Sequence, residues 1–283
     1  MDRTPASRTA RFVALYRALE TTERRRKPLF ADPLAVRFLT PRMRALVAAA
    51  RVPGVLRALT WYADRRAPGA RTSAIARTAY IDDVVRREVA RGTRQVVLLG
   101  AGFDCRAHRL PELAAARVFE VDRGPTQAAK RQRVPASTVT YVSVDFLRDD
   151  TFAELGRAGW ERGAPSVFVW EGVTNYLTEE AVRRVLAEMG RCAPGTTVVF
   201  TYVHKGALDG SNAFPGADAM RRNVGALGEP WTFGIDPAGL PSLLGVEGLR
   251  LVEDTGADSY RARYLGAAAP GYAFYRVAIA KKP

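Results

Sequence analysis

The fold is decided by residues 95–104, which read QVVLLGAGFD. A short uncharged stretch, apolar after its first residue, runs directly into Gly100 and Gly102 and then into Asp104. This pattern is typical of a buried strand that ends in a sharp turn, because glycine lets the backbone turn and approach a ligand closely. A tight turn that binds nothing has the same pattern, so the neighbouring sequence must distinguish the two.

Further apolar stretches predict the rest of the sheet. They lie at 118–121, 139–144, 167–170 and 196–203, and helical segments separate them. Strands that are apolar on both faces and alternate with helices indicate a parallel sheet covered on both sides. The segments 249–252 and 274–279 suit a closing antiparallel pair. We therefore expect an α/β fold with a doubly wound, mostly parallel sheet of seven strands.

The flanking segments predict a cap and an insertion. One helix is predicted by an apolar stripe with helical spacing, formed by Phe12, Leu15, Tyr16 and Leu19. Asp32-Pro33 is typical of a helix start, and a helix from there through Phe38-Leu39 is expected. We expect a helical cap over 1–70, a cofactor-binding domain over 71–283 and an insertion at about 205–235, all in one compact unit.

The net charge is +14, from 43 basic and 29 acidic residues, and it is concentrated at one end of the chain. Residues 1–95 hold 21 Lys and Arg against 8 Asp and Glu, so they carry +13 of the excess. Such a segment can bind a polyanion or an acidic substrate, or it can be a solvated surface of an arginine-rich protein. The run at 24–27 is too short to predict a nucleic-acid arm.

The two cysteines, Cys105 and Cys192, predict neither a disulfide framework nor a metal site, because they are far apart and lack ligand spacing. The apolar stretches are too short to span a membrane, and no signal peptide is recognisable at the N-terminus. A cytoplasmic protein without a metal is therefore expected.

Carboxylates follow three of the predicted strands. Asp122 comes about twenty residues after the glycine turn, where a doubly wound fold places the acid that binds ribose hydroxyls. Asp145 precedes Phe146, a pair that suits the amino group and the face of an adenine. Glu171-Gly172 ends the next strand. Because these strand ends meet at one edge of the sheet, a nucleoside site is expected there.

The glycine turn distinguishes between nucleosides. A dinucleotide turn has a third glycine three residues after the second and receives a pyrophosphate, whereas this chain has Cys105 there and Asp104 before it. A carboxylate in the turn repels pyrophosphate but attracts an ammonium group. S-adenosylmethionine has an ammonium group and no phosphate, so it fits this turn better than NAD does.

The ordered set of motifs resembles the leucine carboxyl methyltransferase-like family of class I S-adenosylmethionine-dependent methyltransferases, in its bacterial branch. The matching stretches are RTAYIDD at 77–83, GAGFDCR at 100–106, FEVD at 119–122, VDF at 144–146, EGVTNYL at 171–177, PLFADPLA at 28–35 and GEPWTFG at 228–234. The resemblance covers essentially the whole chain. It implies a class I methyltransferase fold, S-adenosylmethionine as cofactor and S-adenosylhomocysteine as product.

The resemblance also implies residue roles. Arg77 would bind the methionine carboxylate, which suits the bidentate geometry of a guanidinium. Glu171 would lie by the methionine amino group, Asp122 on the ribose, and Asp145 with Phe146 on the adenine. The expected cofactor-binding residues are Arg77, Gly100, Ala101, Gly102, Asp104, Asp122, Arg123, Asp145, Phe146, Glu171 and Gly172. Cys105 departs from the family, which usually has Thr there.

The sequence predicts the molecule that accepts the methyl group less well than it predicts the cofactor. His204 and Tyr176 are the candidates for a base or an orienting group, and each has an ordinary structural role as its alternative. We expect O-methylation of a carboxylate or hydroxyl on a small molecule, with some cap arginines favouring an anionic acceptor. The alternatives are methylation of a protein's C-terminal carboxylate and a nucleic-acid-binding protein with this fold. No nucleic-acid or membrane partner is expected, and the oligomeric state is not predicted.

Overall fold

The computed structural model describes residues 8–212, 214–269 and 271–283. Its strands are β1 (Gln95–Leu99), β2 (Arg117–Asp122), β3 (Thr140–Ser143), β4 (Ser166–Trp170), β5 (Thr197–Val203), β6 (Arg250–Gly256) and β7 (Tyr275–Lys281). They form a seven-stranded sheet in the order β3-β2-β1-β4-β5-β7-β6. β7 is antiparallel to both β5 and β6, and the other neighbours are parallel. The predicted fold class is confirmed, including the closing antiparallel pair.

The α-helices are α1 (Arg8–Thr21), α2 (Pro41–Ala49), α3 (Val55–Arg66), α4 (Ala70–Ala90), α5 (Arg106–Arg109), α6 (Gly124–Arg131), α7 (Thr151–Arg157), α8 (Glu179–Gly190), α9 (Lys205–Asp209), α10 (Ala217–Ala226), α11 (Leu240–Val246) and α12 (Ala257–Leu265). No helix among the described residues is both long and apolar enough to cross a membrane. The described residues also contain no cluster of three or more His, Cys, Asp or Glu that suits a metal ion.

The sheet is covered on both faces. Val96 and Leu98 of β1 pack with α4 and α12, whereas Val97 and Leu99 of the same strand pack with α7, α8 and α11. Side chains of a strand alternate between its faces, so apolar residues at every position are what two helical layers require. This burial fixes the strands and leaves their carboxyl ends to form the site.

The segments predicted as the cap and the insertion are largely helical. Residues 8–66 form α1 to α3 and a short 3₁₀ helix, Ala35–Phe38. The helix expected from Asp32-Pro33 through Phe38-Leu39 is present as this single 3₁₀ turn, which ends at Phe38 as expected but begins at Ala35. An Asp32 carboxylate oxygen accepts the Ala35 N–H. Residues 1–7 of the predicted cap and Ala213 of the predicted insertion lie outside the described residues. The division into cap, domain and insertion stays a prediction.

Candidate functional site

A cavity of about 870 Å³ opens at the carboxyl ends of the parallel strands. It is lined by the segments that follow β1, β2, β3 and β4, by α1, by the start of α4 and by the segment 220–232. Residues expected at the site that line this cavity are Arg77, Gly100, Ala101, Gly102, Asp104, Asp122, Arg123, Asp145, Phe146, Glu171, Gly172 and Tyr176. The structure thus brings together every expected cofactor-binding residue, while their individual roles stay predictions.

The glycine turn is held by the acid that follows β2. Gly102 N donates to one oxygen of Asp122 at 2.6 Å, and Arg123 N donates to the other at 2.7 Å. Burial raises the pKa of Asp122, while the two backbone N–H groups and nearby cations oppose that shift. Gly100 has φ +64°, and a Cβ there would overlap Cγ2 of Val173. Glycine is therefore required at 100 by both backbone conformation and close packing.

The loop after β3 places a carboxylate beside an apolar wall. An Asp145 carboxylate oxygen accepts the N–H of Leu147 at 3.0 Å, which tightens the loop. The ring of Phe146 is buried, and its centroid lies 6.3 Å from that of Trp170. An acid next to Phe146 and Leu147 suits a flat heterocycle with an exocyclic amino group.

Arg77 and Glu171 form a buried ion pair at the cavity wall. Arg77 Nε donates to Glu171 at 2.7 Å, and the guanidinium lies 4.7 Å from the ring centroid of Tyr275. Burial favours the neutral form of Glu171, but Arg106 and Arg77 outweigh it and hold its pKa below the ordinary value. Glu171 is therefore an anion.

Arg106, which the sequence did not predict at the site, forms ion pairs with two acids of the site, Asp104 and Glu171. Its side chain is 2% exposed, and it pairs with Asp82 at 2.7 Å, with Glu171 at 2.6 Å and with Asp104. Burial would raise the pKa of Asp104, but Arg106, with smaller effects from Arg17 and other cations, holds it well below the usual range. The sequence signal was present, since Asp82 and Arg106 both lie within motifs quoted above. The sequence did not show that Asp82 and Arg106, which are 24 positions apart, form an ion pair.

A second set of ion pairs joins this cluster to the cap. Arg109 pairs with Asp82 at 2.6 Å and lies 3.9 Å from Asp32. Asp32 pairs with Arg17 of α1 at 2.8 Å, and Arg17 also donates to the carbonyl of Phe103 in the glycine turn. We call Arg17, Asp32, Arg109, Asp82, Arg106, Asp104 and Glu171 the buried charge chain. It links α1 to the turn that lines the cavity.

The basic side chains that line the cavity in the described part of the chain differ in their partners. Among the described residues that line it, the basic side chains are Arg17, Arg77 and Arg123. Arg17 is held by Asp32 and Arg77 by Glu171, while Arg123 is exposed beside Asp122. The expectation that some cap arginines favour an anionic acceptor stays a prediction.

Of the two candidate catalytic residues, Tyr176 and His204, the first lines the cavity. Burial, together with Tyr275 and Glu229, raises the pKa of the Tyr176 phenol well above the ordinary value. Tyr176 can therefore donate a hydrogen bond but is a poor base. Cys105 is fully buried and its pKa is raised to about 12, chiefly by burial, so a nucleophilic thiolate is disfavoured.

His204 is not among the described residues that line the cavity. Its Nδ1 accepts the N–H of Gly206 at 3.0 Å and so caps α9, and its ring lies 4.9 Å from that of Phe214. The expectation that His204 acts as a base is therefore not supported by its position. Its place just after β5 gave the expectation, but the side chain serves the helix start.

Comparison with known proteins gives a family. Residues 10–190 match the family described as Leucine carboxyl methyltransferase. A Frankia alni protein provisionally named as an S-adenosyl-L-methionine-dependent methyltransferase is 37% identical over 209 residues, which cover 71% of this chain and 70% of the relative. A Streptomyces avermitilis protein with the same provisional name is 34% identical over 224 residues, 75% of each chain.

Two solved structures share the fold. A DUF574 family protein from Streptomyces avermitilis has a TM-score of 0.64 and 17% identity, with 99% of each chain covered. A Thermobifida fusca structure provisionally described as a methyltransferase has a TM-score of 0.58 and 21% identity, covering 90% of this chain and 96% of that one. At these identities the likeness shows the architecture and no more.

Proposed function

The chain belongs to the leucine carboxyl methyltransferase family of S-adenosylmethionine-dependent methyltransferases, and we propose that it methylates an oxygen atom of a small-molecule acceptor. The observation that carries this proposal is the cavity itself. The strand ends contribute carboxylates to it, and α1, α4 and the segment 220–232 contribute most of its other lining. A concave, largely apolar cavity of this size suits a small molecule.

The strand-end part fits S-adenosylmethionine rather than a dinucleotide. The Gly102 N–H, which a pyrophosphate would need, is already bonded to Asp122. Asp104, Asp122 and Glu171 add negative charge where a phosphate would lie, and the same charge suits a cofactor with an ammonium and a sulfonium. We assign Arg77 to the methionine carboxylate because one edge of its guanidinium is bonded to Glu171 and other donors remain.

When bound, S-adenosylmethionine supplies an electrophilic methyl group. The protein must align the acceptor oxygen with that methyl group and exclude water from it. Gly100 and Gly102 let the backbone approach the cofactor closely. Tyr176 and Tyr275 also line the cavity, where they can wall the acceptor. The assignments of Gly100, Gly102 and Tyr176 extend the sequence expectations, whereas Tyr275 was not expected at the site.

Two measurements test this function. Calorimetry should show binding of S-adenosylhomocysteine and no binding of NADH. Incubation with ¹³C-methyl-labelled S-adenosylmethionine and a deproteinised bacterial metabolite extract should give a new methyl signal on oxygen, by carbon NMR. Label on nitrogen, carbon or sulfur would overturn the O-methyl assignment. A base-labile ester formed instead on peptides ending in leucine would favour the carboxyl methylation that the family's description names.

A further inference from the structure

Two acids of the cavity wall, Asp104 of the glycine turn and Glu171 after β4, share one guanidinium. Arg106 Nη1 donates to Glu171 Oε2 at 2.6 Å and also pairs with Asp104 Oδ2. The backbone N–H of Arg106 donates to Asp104 Oδ1 at 2.8 Å. Both acids line the cavity, whereas Arg106 is not among the described residues that do. Arg106 therefore acts on a bound ligand through these two carboxylates.

The guanidinium of Arg106 is itself fixed inside the protein. Its Nε donates to Asp82 Oδ1 of α4 at 2.7 Å, and Asp82 in turn accepts two hydrogen bonds from Arg109 at 2.6 and 2.8 Å. The Arg106 side chain is 2% exposed, so water competes little for these contacts. Because a guanidinium is planar and its donors are fixed relative to one another, the contact with Asp82 also fixes the direction of Nη1.

Arg106 also allows two like charges to lie close together. Burial raises the pKa of both Asp104 and Glu171, and Arg106 is the largest of the influences that oppose this shift. The charge of Asp104 acts to raise the pKa of Glu171 as well. Two neighbouring carboxylates that lose a shared cation take up a proton or move apart. The present orientation of the two acids thus depends on Arg106.

The amino-acid end of S-adenosylmethionine is a zwitterion, with an ammonium group, a carboxylate and no net charge. Its recognition therefore depends on where the charges of the site lie and how firmly they are held, more than on the net charge of the site. Arg77, assigned to the ligand carboxylate, donates to Glu171 Oε1 at 2.7 Å. Arg106 takes the other oxygen of Glu171, so one carboxylate joins the two arginines into a single set.

We propose that Arg106 is a positioning residue for the amino-acid end of the cofactor, which holds the carboxylates of Asp104 and Glu171 in the relative orientation that receives the ammonium group. This inference rests on the proposed function and deepens it. The nucleoside end is assigned to Asp122 and Asp145, whose hydrogen bonds do not involve Arg106. Loss of Arg106 should therefore affect the amino-acid end of the ligand selectively.

The test separates the two ends of the ligand. Calorimetry measures the affinity for S-adenosylhomocysteine and for 5′-methylthioadenosine, which keeps the nucleoside and the thioether sulfur but has no amino-acid group. Binding of S-adenosylhomocysteine to the wild type is measured first. Its absence would refute the cofactor assignment of the proposed function, which is a different result from any change caused by substitution of Arg106.

Arg106→Met removes the guanidinium. We expect the affinity for S-adenosylhomocysteine to fall about 30-fold or more, because hydrogen bonds to charged groups are lost at the ammonium, and the affinity for 5′-methylthioadenosine to fall about threefold or less. Arg106→Lys keeps a cation in case the methionine variant does not fold. Its ammonium presents all its donors from one nitrogen and cannot hold Asp82 and both site acids in the same geometry. Affinity for S-adenosylhomocysteine should fall about fivefold or more in this variant, again with 5′-methylthioadenosine within about threefold.

Arg109→Met is the matched control. Arg109 is also a buried arginine, 3% exposed, and it pairs with the same Asp82, but among the described residues it forms no ion pair with Asp104 or Glu171. A purely structural effect of losing a buried guanidinium should appear in this variant too. We expect the ratio of the two affinities to stay within about twofold of the wild type. Circular dichroism establishes that each variant compared is folded.

Three results would overturn the inference. Equal losses of affinity for both ligands in the Arg106 variants would mean that the substitution disturbs the whole site. Unchanged affinity for S-adenosylhomocysteine in a folded Arg106 variant would show that the two acids keep their orientation without it. A change of ratio in Arg109→Met as large as that in Arg106→Met would assign the selectivity to buried charge in general and not to the contacts of Arg106.

Discussion

At the scale of single residues, Asp122 has two tasks in one carboxylate. It holds the glycine turn through Gly102 N and the next helix through Arg123 N, and by its position it is the expected ribose ligand. We predict that Asp122→Ala weakens S-adenosylhomocysteine binding at least ~100-fold, because hydrogen bonds to a charged group contribute about 1.5–3 kcal/mol each. Calorimetry measures this change. Asp258→Ala, at an exposed acid of α12, should leave the affinity unaltered.

Individual site residues were predictable to different degrees. Asp122, Asp145 and Glu171 follow apolar strands directly, so chain position alone places them at one edge of the sheet. The ion pairs of Arg106 were not predictable, because a helical arginine is usually solvated and its burial here depends on Asp82 of α4 and Glu171, which follows β4, lying together. His204 shows the reverse: it follows a strand, but its imidazole caps a helix.

At the scale of elements, the junction of β1 with the loop after β4 sets the shape of the turn. Gly100 lies against Val173, where an added Cβ would overlap Cγ2. We predict that Gly100→Ala lowers the free energy of unfolding by about 1–3 kcal/mol, because it combines a strained backbone with overpacking. It should also weaken cofactor binding. Urea unfolding and calorimetry measure the two effects.

A second substitution separates the two causes. Val173→Ala removes the obstructing methyl groups, so Gly100→Ala combined with Val173→Ala should recover part of the lost stability relative to the sum of the single changes. The positive φ of +64° remains and limits the recovery. If the double variant shows no gain over additive behaviour, the overlap with Val173 is not the cause.

Elements were predicted best where burial is complete. β1 and β4 are buried at every position, and their apolar runs gave their bounds to within a residue. The helix expected from Asp32-Pro33 through Phe38-Leu39 ends at Phe38 as expected, but it is a single 3₁₀ turn that begins at Ala35. The segment 205–235 contains α9 and α10, which are too short to give a clear periodic pattern in the sequence. Side chains of both helices pack in one cluster with Tyr272.

At the scale of the whole molecule, part of the positive charge of the first third is used inside the protein. Arg17 and Arg77 belong to this third, and both are buried in ion pairs with acids. The buried charge chain then continues through Arg109 and Arg106 to Glu171. Composition gave the excess but could not show that some of it balances carboxylates at the cofactor site.

The buried charge chain makes stability depend on pH. The pKa values of Asp104 and Glu171 are lowered in the folded protein, because Arg106 and its neighbours outweigh burial. The unfolded chain therefore takes up protons at a higher pH than the folded chain does. The stabilisation is present above the unfolded values of 3.8 and 4.5 and is lost as pH falls through the folded ones.

Arg106 is the centre of that dependence, and Arg106→Met tests it. Removal of the guanidinium leaves Asp82, Asp104 and Glu171 without their shared partner, so we predict a loss of about 3–5 kcal/mol in the free energy of unfolding at pH 7. The difference from wild type should shrink at pH 4, where protonation relieves the stranded acids. Urea unfolding followed by circular dichroism at both pH values measures it. Arg157→Met, at an exposed pair with Glu154, should cost less than about 1 kcal/mol at either pH. A difference for Arg106→Met that stays constant between the two pH values would mean that packing, and not charge, accounts for its effect.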